Sequence, residues 1–320
     1  MAVSGGIVVE GVARSFGTVQ AVRSATLTVE PGSVAGLIGP NGSGKTTLLL
    51  MLATLLRADA GSIRIAGFDP STDARDVRSR IGWMPDVLGA WPSLTVRETL
   101  VAAARMYGAP RQDASARAAE LIGTVGLDAL ADQPARVLSR GQKQRLSLAR
   151  AIVHDPEVLL LDEPASGLDP QARAELRVAV RRFASDGKAV LVSSHVLAEL
   201  DEMADTAVYL SGGVTASADA VERSVRTARD WRIRAIDAAA LHPALLAAGV
   251  PADLIRDDNL GTLVPIGDEE QAARLLAAVV ASGVRISAFG PAVGDLEHVF
   301  LELNRDTDDR RTAGGAEAGA

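Results

Sequence analysis

An α/β fold is predicted for this sequence: a largely parallel sheet flanked by helices, a helical block inserted into it, and a small α/β unit near the carboxyl end. Three observations predict it. Two short apolar runs, Val34 to Ile38 (VAGLI) and Val158 to Leu161 (VLLL), have the composition of strands buried on both faces. The first leads through Gly39 to Thr47 (GPNGSGKTT) into Thr47 to Leu56 (TLLLMLATLL), so strand, glycine-rich turn and helix follow one another. Strand and helix patterns then go on alternating, as this class requires.

The elements follow in chain order. Ile7 to Glu10 and Ala25 to Glu30 (ATLTVE) are strand-like, and Gly61 to Phe68 (GSIRIAGF) alternates; together they predict a small antiparallel sheet. Arg80 to Met84 is a further strand. After Pro85 the pattern turns helical. Thr95-Val-Arg-Glu98 is a capping box opening a helix to about Tyr107, Ala114 to Val125 is a second helix, and Ser139 to His154 a third. A helical insert thus spans about 84–151. Val158 to Leu161 returns to the sheet. Asp169 caps a helix from Pro170 to Ala184, with Pro170 at its first position, and Lys188 to Ser193 and Thr206 to Leu210 close the first domain, 1–212.

Gly212-Gly213 marks the boundary. Beyond it, strands Trp231 to Ile236, Leu260 to Ile266 and Val284 to Phe289 alternate with helices Ala238 to Ala248, Glu269 to Ala281 and Asp295 to Leu303. That spacing predicts a small C-terminal α/β domain over 213–304. The tail 305–320 (RDTDDRRTAGGAEAGA) offers no large apolar side chain to bury and is expected to be disordered.

Composition narrows the classes of function. The 320 residues suffice for about two domains. A net charge of −7 and a pI near 5.2 argue against nucleic acid as a partner. With no cysteine, disulfides and thiolate-held metal centres are excluded, which fits a reducing cytoplasm. No apolar run approaches the ~20 residues of a bilayer span, and the first residues lack the pattern of a secretory signal. The expectation is a soluble chain that reaches a membrane only through a partner.

The glycine-rich stretch fits G-x-x-x-x-G-K-[ST]. Gly39, Gly42 and Gly44 let the backbone approach a phosphate, while Pro40, Asn41, Ser43 and Thr47 complete the loop at a helix N-terminus. Lys45 is expected to reach the β- and γ-phosphates, and the Thr46 hydroxyl to ligate Mg²⁺. Asp162, ending a buried strand, is expected to hold Mg²⁺ directly or through water. Glu163 beside it is expected to polarise the attacking water. Leu138-Ser-Arg-Gly-Gln142 reads locally as a capping box, Ser139 to Gln142.

Loop, LSRGQ string and carboxylates, in this order, resemble the ABC (ATP-binding cassette) ATPases. Their signature is LSGGQ. The resemblance covers roughly residues 7–212 and implies a P-loop core with a RecA-like parallel sheet, an antiparallel β subdomain and an inserted helical subdomain. It implies further roles residue by residue. Ser166-Gly-Leu-Asp169 resembles the D-loop at the seam between paired cassettes. His195 resembles the switch histidine at the γ-phosphate, and Phe16 the aromatic that stacks on adenine. The resemblance also implies a head-to-tail pair, in which Ser139, Gly141 and Gln142 of one chain close on ATP held by the other.

Two positions depart from the family pattern. Asp86 stands in IGWMPD where the Q-loop glutamine is expected, and its carboxylate can still ligate Mg²⁺. Arg140 replaces the signature's first glycine; its guanidinium is suited to a charge-assisted contact with phosphate, but the expectation is that it points into solvent. Hydrolysis is expected nonetheless, because Lys45, Asp162 and Glu163 are all in place.

The job implied is the ATPase subunit of a membrane transporter, peripheral on the cytoplasmic face of the cell membrane and docked on a permease. Trp83, Leu88 and Trp91 are candidate anchors for that docking. Asp295 to Asn304 (DLEHVFLELN) resembles the tail of the drug- and antibiotic-export branch, which favours an exporter over an importer. A non-transport or purely regulatory cassette is the alternative class.

Overall fold

The computed structural model describes residues 5–304 apart from 88 and 90, and the chain divides into two compact units between Ala216 and Ser217. In the first, β1 (Ile7–Phe16) and β2 (Val19–Val29) form a long antiparallel hairpin around Gly17. Then come β3 (Val34–Ile38), α1 (Lys45–Leu52), β4 (Ala60–Ile65), α2 (Ala74–Arg80) and β5 (Ile81–Met84). Three helices follow before the sheet resumes: α3 (Val96–Met106), α4 (Arg111–Thr124) and α5 (Arg140–Ala151). The unit closes with β6 (Val158–Asp162), α6 (Pro170–Ser185), β7 (Ala189–Ser193), α7 (Leu197–Asp201), β8 (Thr206–Ser211) and β9 (Val214–Thr215).

These strands join in one nine-stranded order, β4-β1-β2-β9-β8-β3-β7-β6-β5. From β8 to β5 every neighbouring pair is parallel. Strands β3, β6 and β7 are buried at every residue, which is why their sequences are unbroken apolar runs rather than alternating ones. Because the five strands point the same way, Ile38, Asp162 and Ser193 all emerge at one edge, where a parallel sheet presents its ligand-binding loops. The first core packs Leu48, Leu49, Met51 and Leu52 of α1 against Leu37, Val158, Leu160 and Leu191.

Several elements differ from expectation. Helix α1 starts at Lys45 and ends at Leu52 rather than running from 47 to 56, because Thr54 turns left-handed at φ 63°. Helix α2 carries a single buried apolar residue, Val77, and so has no periodicity to read. The antiparallel strands are not a separate sheet; β9 joins them to β8. Among the described residues, no helix is long and apolar enough to cross a membrane.

The second unit contains α8 (Ala218–Val225), β10 (Arg229–Ala235), α9 (Ala238–Ala247), β11 (Arg256–Asp258), β12 (Gly261–Ile266), α10 (Glu269–Ala281) and β13 (Ile286–Pro291), and residues 295–304 are again helical. Its sheet order, β11-β12-β10-β13, is antiparallel throughout. From β10 onward this is a βαββαβ unit of the ferredoxin-like kind. It has a core of its own, built from Ile233, Leu241, Leu245, Val264, Ile266, Leu275 and Val279. The tail expected to be disordered lies outside the described residues.

Candidate nucleotide site

The loop from Gly39 to Thr46 bridges β3 and α1. Two of its glycines are obligatory on steric grounds. At Gly44 φ is 105°, and a Cβ there would stand 2.4 Å from the Ala21 carbonyl oxygen. At Gly39 a Cβ would stand 2.2 Å from the Leu210 carbonyl oxygen. Gly42, at φ 79°, has open space beside it, so only its backbone conformation demands glycine. The Ser43 hydroxyl is buried in this loop without a hydrogen-bond partner among the described residues. An orphaned hydroxyl in a glycine-rich loop at a helix start is chemistry suited to an anion.

Lys45 is 8% exposed and folds back on the loop, its Nζ donating to the carbonyls of Gly39 at 2.7 Å and Pro40 at 3.2 Å. Burial pulls its pKa below the usual lysine range, against the opposing charges of Glu163 and Asp162. Thr46 Oγ1 donates to Asp162 Oδ2 at 3.3 Å, and Ser193 Oγ donates to Asp162 Oδ1 at 2.6 Å. Burial raises the Asp162 pKa; the bonds from Ser193 and Thr46 oppose that, and the charges of Glu163 and Asp86 reinforce it. Asp86 itself is exposed. Among the described residues no cluster of three or more His, Asp or Glu is arranged for a metal. The Thr46 hydroxyl beside the Asp162 carboxylate is instead a pair of hard oxygen donors, leaving the remaining ligands to phosphate and water, as suits Mg²⁺.

Glu163 sits just past β6 with φ 51°, a left-handed conformation that non-glycine residues adopt rarely and that gathers at functional sites. Its N–H is held by Ser193 Oγ at 3.0 Å. Its carboxylate meets His195 Nδ1 at 2.7 Å. The histidine side chain is 60% exposed and that of Glu163 17%, so the pair lies at the mouth of the site. Phe16, at the tip of the first hairpin, is 45% exposed and so is not a core residue; the Arg14 guanidinium carbon lies 4.9 Å from its ring centre.

The LSRGQ segment opens α5 with a complete capping box: Gln142 N–H to Ser139 Oγ at 3.2 Å, and Ser139 N–H to Gln142 Oε1 at 2.8 Å. Asp169 caps α6 by accepting the Ala172 N–H at 2.9 Å. Arg140 is exposed, as expected, and its Nη2 also donates to Ser166 Oγ at 2.7 Å, because the left-handed Gly167 leaves room for its stem. Trp83 corrects an expectation: it packs against the first core and is no free anchor. Trp91 is 40% exposed, with the Arg150 guanidinium 5.8 Å from its ring, while Leu88 lies outside the described residues. Sequence reasoning missed Ser193 and Gln144. The second is 2% exposed and donates to the Glu163 carbonyl at 3.0 Å; its only advance signal was a polar residue on the buried flank of a helix.

A phosphate loop between a buried strand and a helix, an acid at the end of the strand two places away and a histidine after the one between define a P-loop nucleoside-triphosphatase fold with an inserted helical block. Comparison with known proteins narrows this. The family model described as "ABC transporter" matches residues 22–166. A daunorubicin/doxorubicin resistance ATP-binding protein of Streptomyces peucetius is 36% identical over 313 residues, which is 96% of this chain and 95% of that protein. A Nod factor export ATP-binding protein of Burkholderia lata is 40% identical over 202 residues, covering 63% of this chain and 66% of the relative. The solved structure of an ATP-binding subunit of an ABC transporter, 26% identical, superposes with a TM-score of 0.63 over 68% of this chain and 92% of its own. The chain belongs to the ABC transporter ATP-binding proteins.

Proposed function

We propose that this chain is the ATP-hydrolysing subunit of an ABC exporter of drug-like or hydrophobic compounds. Its first unit is the ATPase domain, with the helical insert at about 84–151, and its second a small α/β appendage. The observation that carries the reading is the triad of positions at one sheet edge: Lys45 in the loop, Asp162 ending β6, and Glu163 held at φ 51° against His195. Export is supported by the names of the two relatives, one a drug-resistance protein similar over nearly its whole length.

ATP enters with its phosphates on the N–H groups of residues 39–47. Lys45 exchanges its carbonyl partners for the β- and γ-phosphates, and the Ser43 hydroxyl gains a partner. Phe16 stacks on adenine. Thr46 and Asp162, with Asp86 nearby, would hold Mg²⁺, which would supply charge neutralisation on the phosphates. The Glu163 carboxylate accepts a proton from water as the water oxygen bonds to the γ-phosphorus and the bond to the β,γ-bridging oxygen breaks, leaving ADP and phosphate. His195 orients that carboxylate and reaches the γ-phosphate.

His195 and Phe16 are exposed, and we assign the cover of the site to a second cassette, whose Ser139, Gly141 and Gln142 close on the phosphates while Asp169 lies at the seam. The pair docks on a permease at the cytoplasmic face of the membrane, with Trp91 in the docking surface. A purified-protein assay tests the core of this reading. Lys45→Ala should lose ATP binding. Glu163→Gln should bind ATP, accumulate as a closed pair by size exclusion, and lose about 10²–10⁴-fold in turnover. Near wild-type turnover in Glu163→Gln would remove Glu163 from the role of base.

A further inference from the structure

Helix α5 does more than carry the signature at its tip. Arg140 and Gln144 lie one turn apart on the same face, and both reach the turn that follows β6. Gln144 Nε2 donates to the Glu163 carbonyl at 3.0 Å. That carbonyl also accepts the Ser166 N–H at 3.1 Å, which closes the turn. Arg140 Nη2 donates to Ser166 Oγ at 2.7 Å, and its stem lies over Gly167, where a Cβ would stand 2.5 Å from Arg140 Cδ. The turn holds two left-handed residues, Glu163 at φ 51° and Gly167 at φ 74°. A glutamate keeps such a conformation only where its surroundings impose it.

We propose that Arg140 and Gln144 are positioning residues for hydrolysis, clamping the 163–169 turn onto α5 so that the Glu163 carboxylate is aimed at the attacking water. The proposal rests on the reading of Glu163 as base and of Ser139 as the partner-facing tip. Ser139 caps the helix whose flank carries Gln144, and a helix moves as a rigid rod. When the tip closes on the partner's nucleotide, the clamp shifts with it and adjusts the Glu163 of its own copy. One helix thereby links the two sites of a pair, with its tip in one and its flank in the other.

The test uses the full-length chain. Gln144→Met keeps the length and bulk of the side chain and removes the donor; Gln144→Asn withdraws the donor by one methylene; Arg140→Gly removes the second grip. In Gln144→Met, kcat should fall about tenfold, the cost of one buried bond to a reacting group's backbone. Gln144→Asn and Arg140→Gly should show smaller losses in the same direction. The KM for ATP should hold in all three, and the Hill coefficient for ATP should drop in each. Made in the Glu163→Gln background, Gln144→Met should change the residual rate hardly at all, because the group it positions is gone.

Equal fold losses in both backgrounds, or a raised KM at unchanged kcat, would mean ordinary packing and overturn the clamp. Should Gln144→Met fail to fold, Gln144→Asn carries the same cycle. The two readings fail separately. Full turnover in Glu163→Gln sinks the base, whereas an inactive Glu163→Gln beside a fully active Gln144→Met sinks only the clamp.

Discussion

At Gly44 one methyl group would meet two obstacles at once, a left-handed backbone and a close carbonyl. Its φ of 105° and the Ala21 carbonyl 2.4 Å from a built Cβ both oppose a side chain, and the obstacle is backbone that cannot turn aside. Gly44→Ala should therefore cost about 100-fold or more in ATP affinity, read by titration with a fluorescent ATP analogue. Gly42→Ala meets only the left-handed penalty, since nothing stands beside it, and should cost about tenfold. Asp162 makes a prediction about pH. Burial raises its pKa, so the folded chain binds a proton there more tightly than the unfolded chain does. Its contribution to stability is greatest below the unfolded pKa and is lost as pH rises through the folded value. Asp162→Asn should accordingly melt higher than the wild type at neutral pH without nucleotide, the gap closing on acidification, while its ATPase activity is lost; a lower melting temperature at neutral pH would contradict this. That Lys45, Asp162 and Glu163 stand together at one edge of the sheet was legible because each sits inside a contiguous motif. Ser193 and Gln144 were not, since their partners stand 31 and 19 residues away along the chain. Only the parallel register that sets Asp162 beside Ser193 brings the first pair together.

At the level of elements, two helices begin with the same device and serve different ends. Thr95 and Ser139 each form a complete capping box, at the starts of α3 and α5. Losing such a cap costs about 1 kcal/mol wherever it stands. Thr95→Ala should lower the unfolding free energy by about that amount and leave ATPase activity per folded molecule unchanged. Ser139→Ala should lose a similar amount of stability and also most of its turnover, if its hydroxyl heads the surface proposed to meet the partner's phosphates. Denaturant unfolding beside steady-state kinetics separates the two; equal turnover in both variants would leave Ser139 a cap and nothing more. The same contrast explains what was legible here. The Thr95 and Ser139 boxes, the proline-led start of α6 and the buried strands β3, β6 and β7 announce themselves through local chemistry. Helix α2, with one buried residue in seven, and β11, whose sequence is Arg-Asp-Asp, are fixed by neighbours rather than by their own pattern.

The division of the molecule shows the same limit at a larger scale. The glycine pair at 212–213 has the composition of a boundary, yet β9 lies beyond it and belongs to the first unit, pairing with β2 and β8. Pairing between distant strands, and not local flexibility, decides where the first domain stops. The βαββαβ order of the second unit was partly readable as alternating strands and helices, but β11 was too short and too polar to count. Each unit buries an apolar cluster of its own, one around Leu37, Leu48 and Leu160, the other around Ile233, Leu245 and Val264. Separate cores predict separate cooperative transitions. Calorimetry of the intact chain should resolve two unfolding events. ATP with Mg²⁺, added to Glu163→Gln so that it is not consumed, should raise only the transition of the first unit, by about 2.7 kcal/mol at a hundredfold excess over Kd. One transition moving as a whole would mean that the second unit's stability depends on the nucleotide site, and that its fold is not independent of the ATPase it follows.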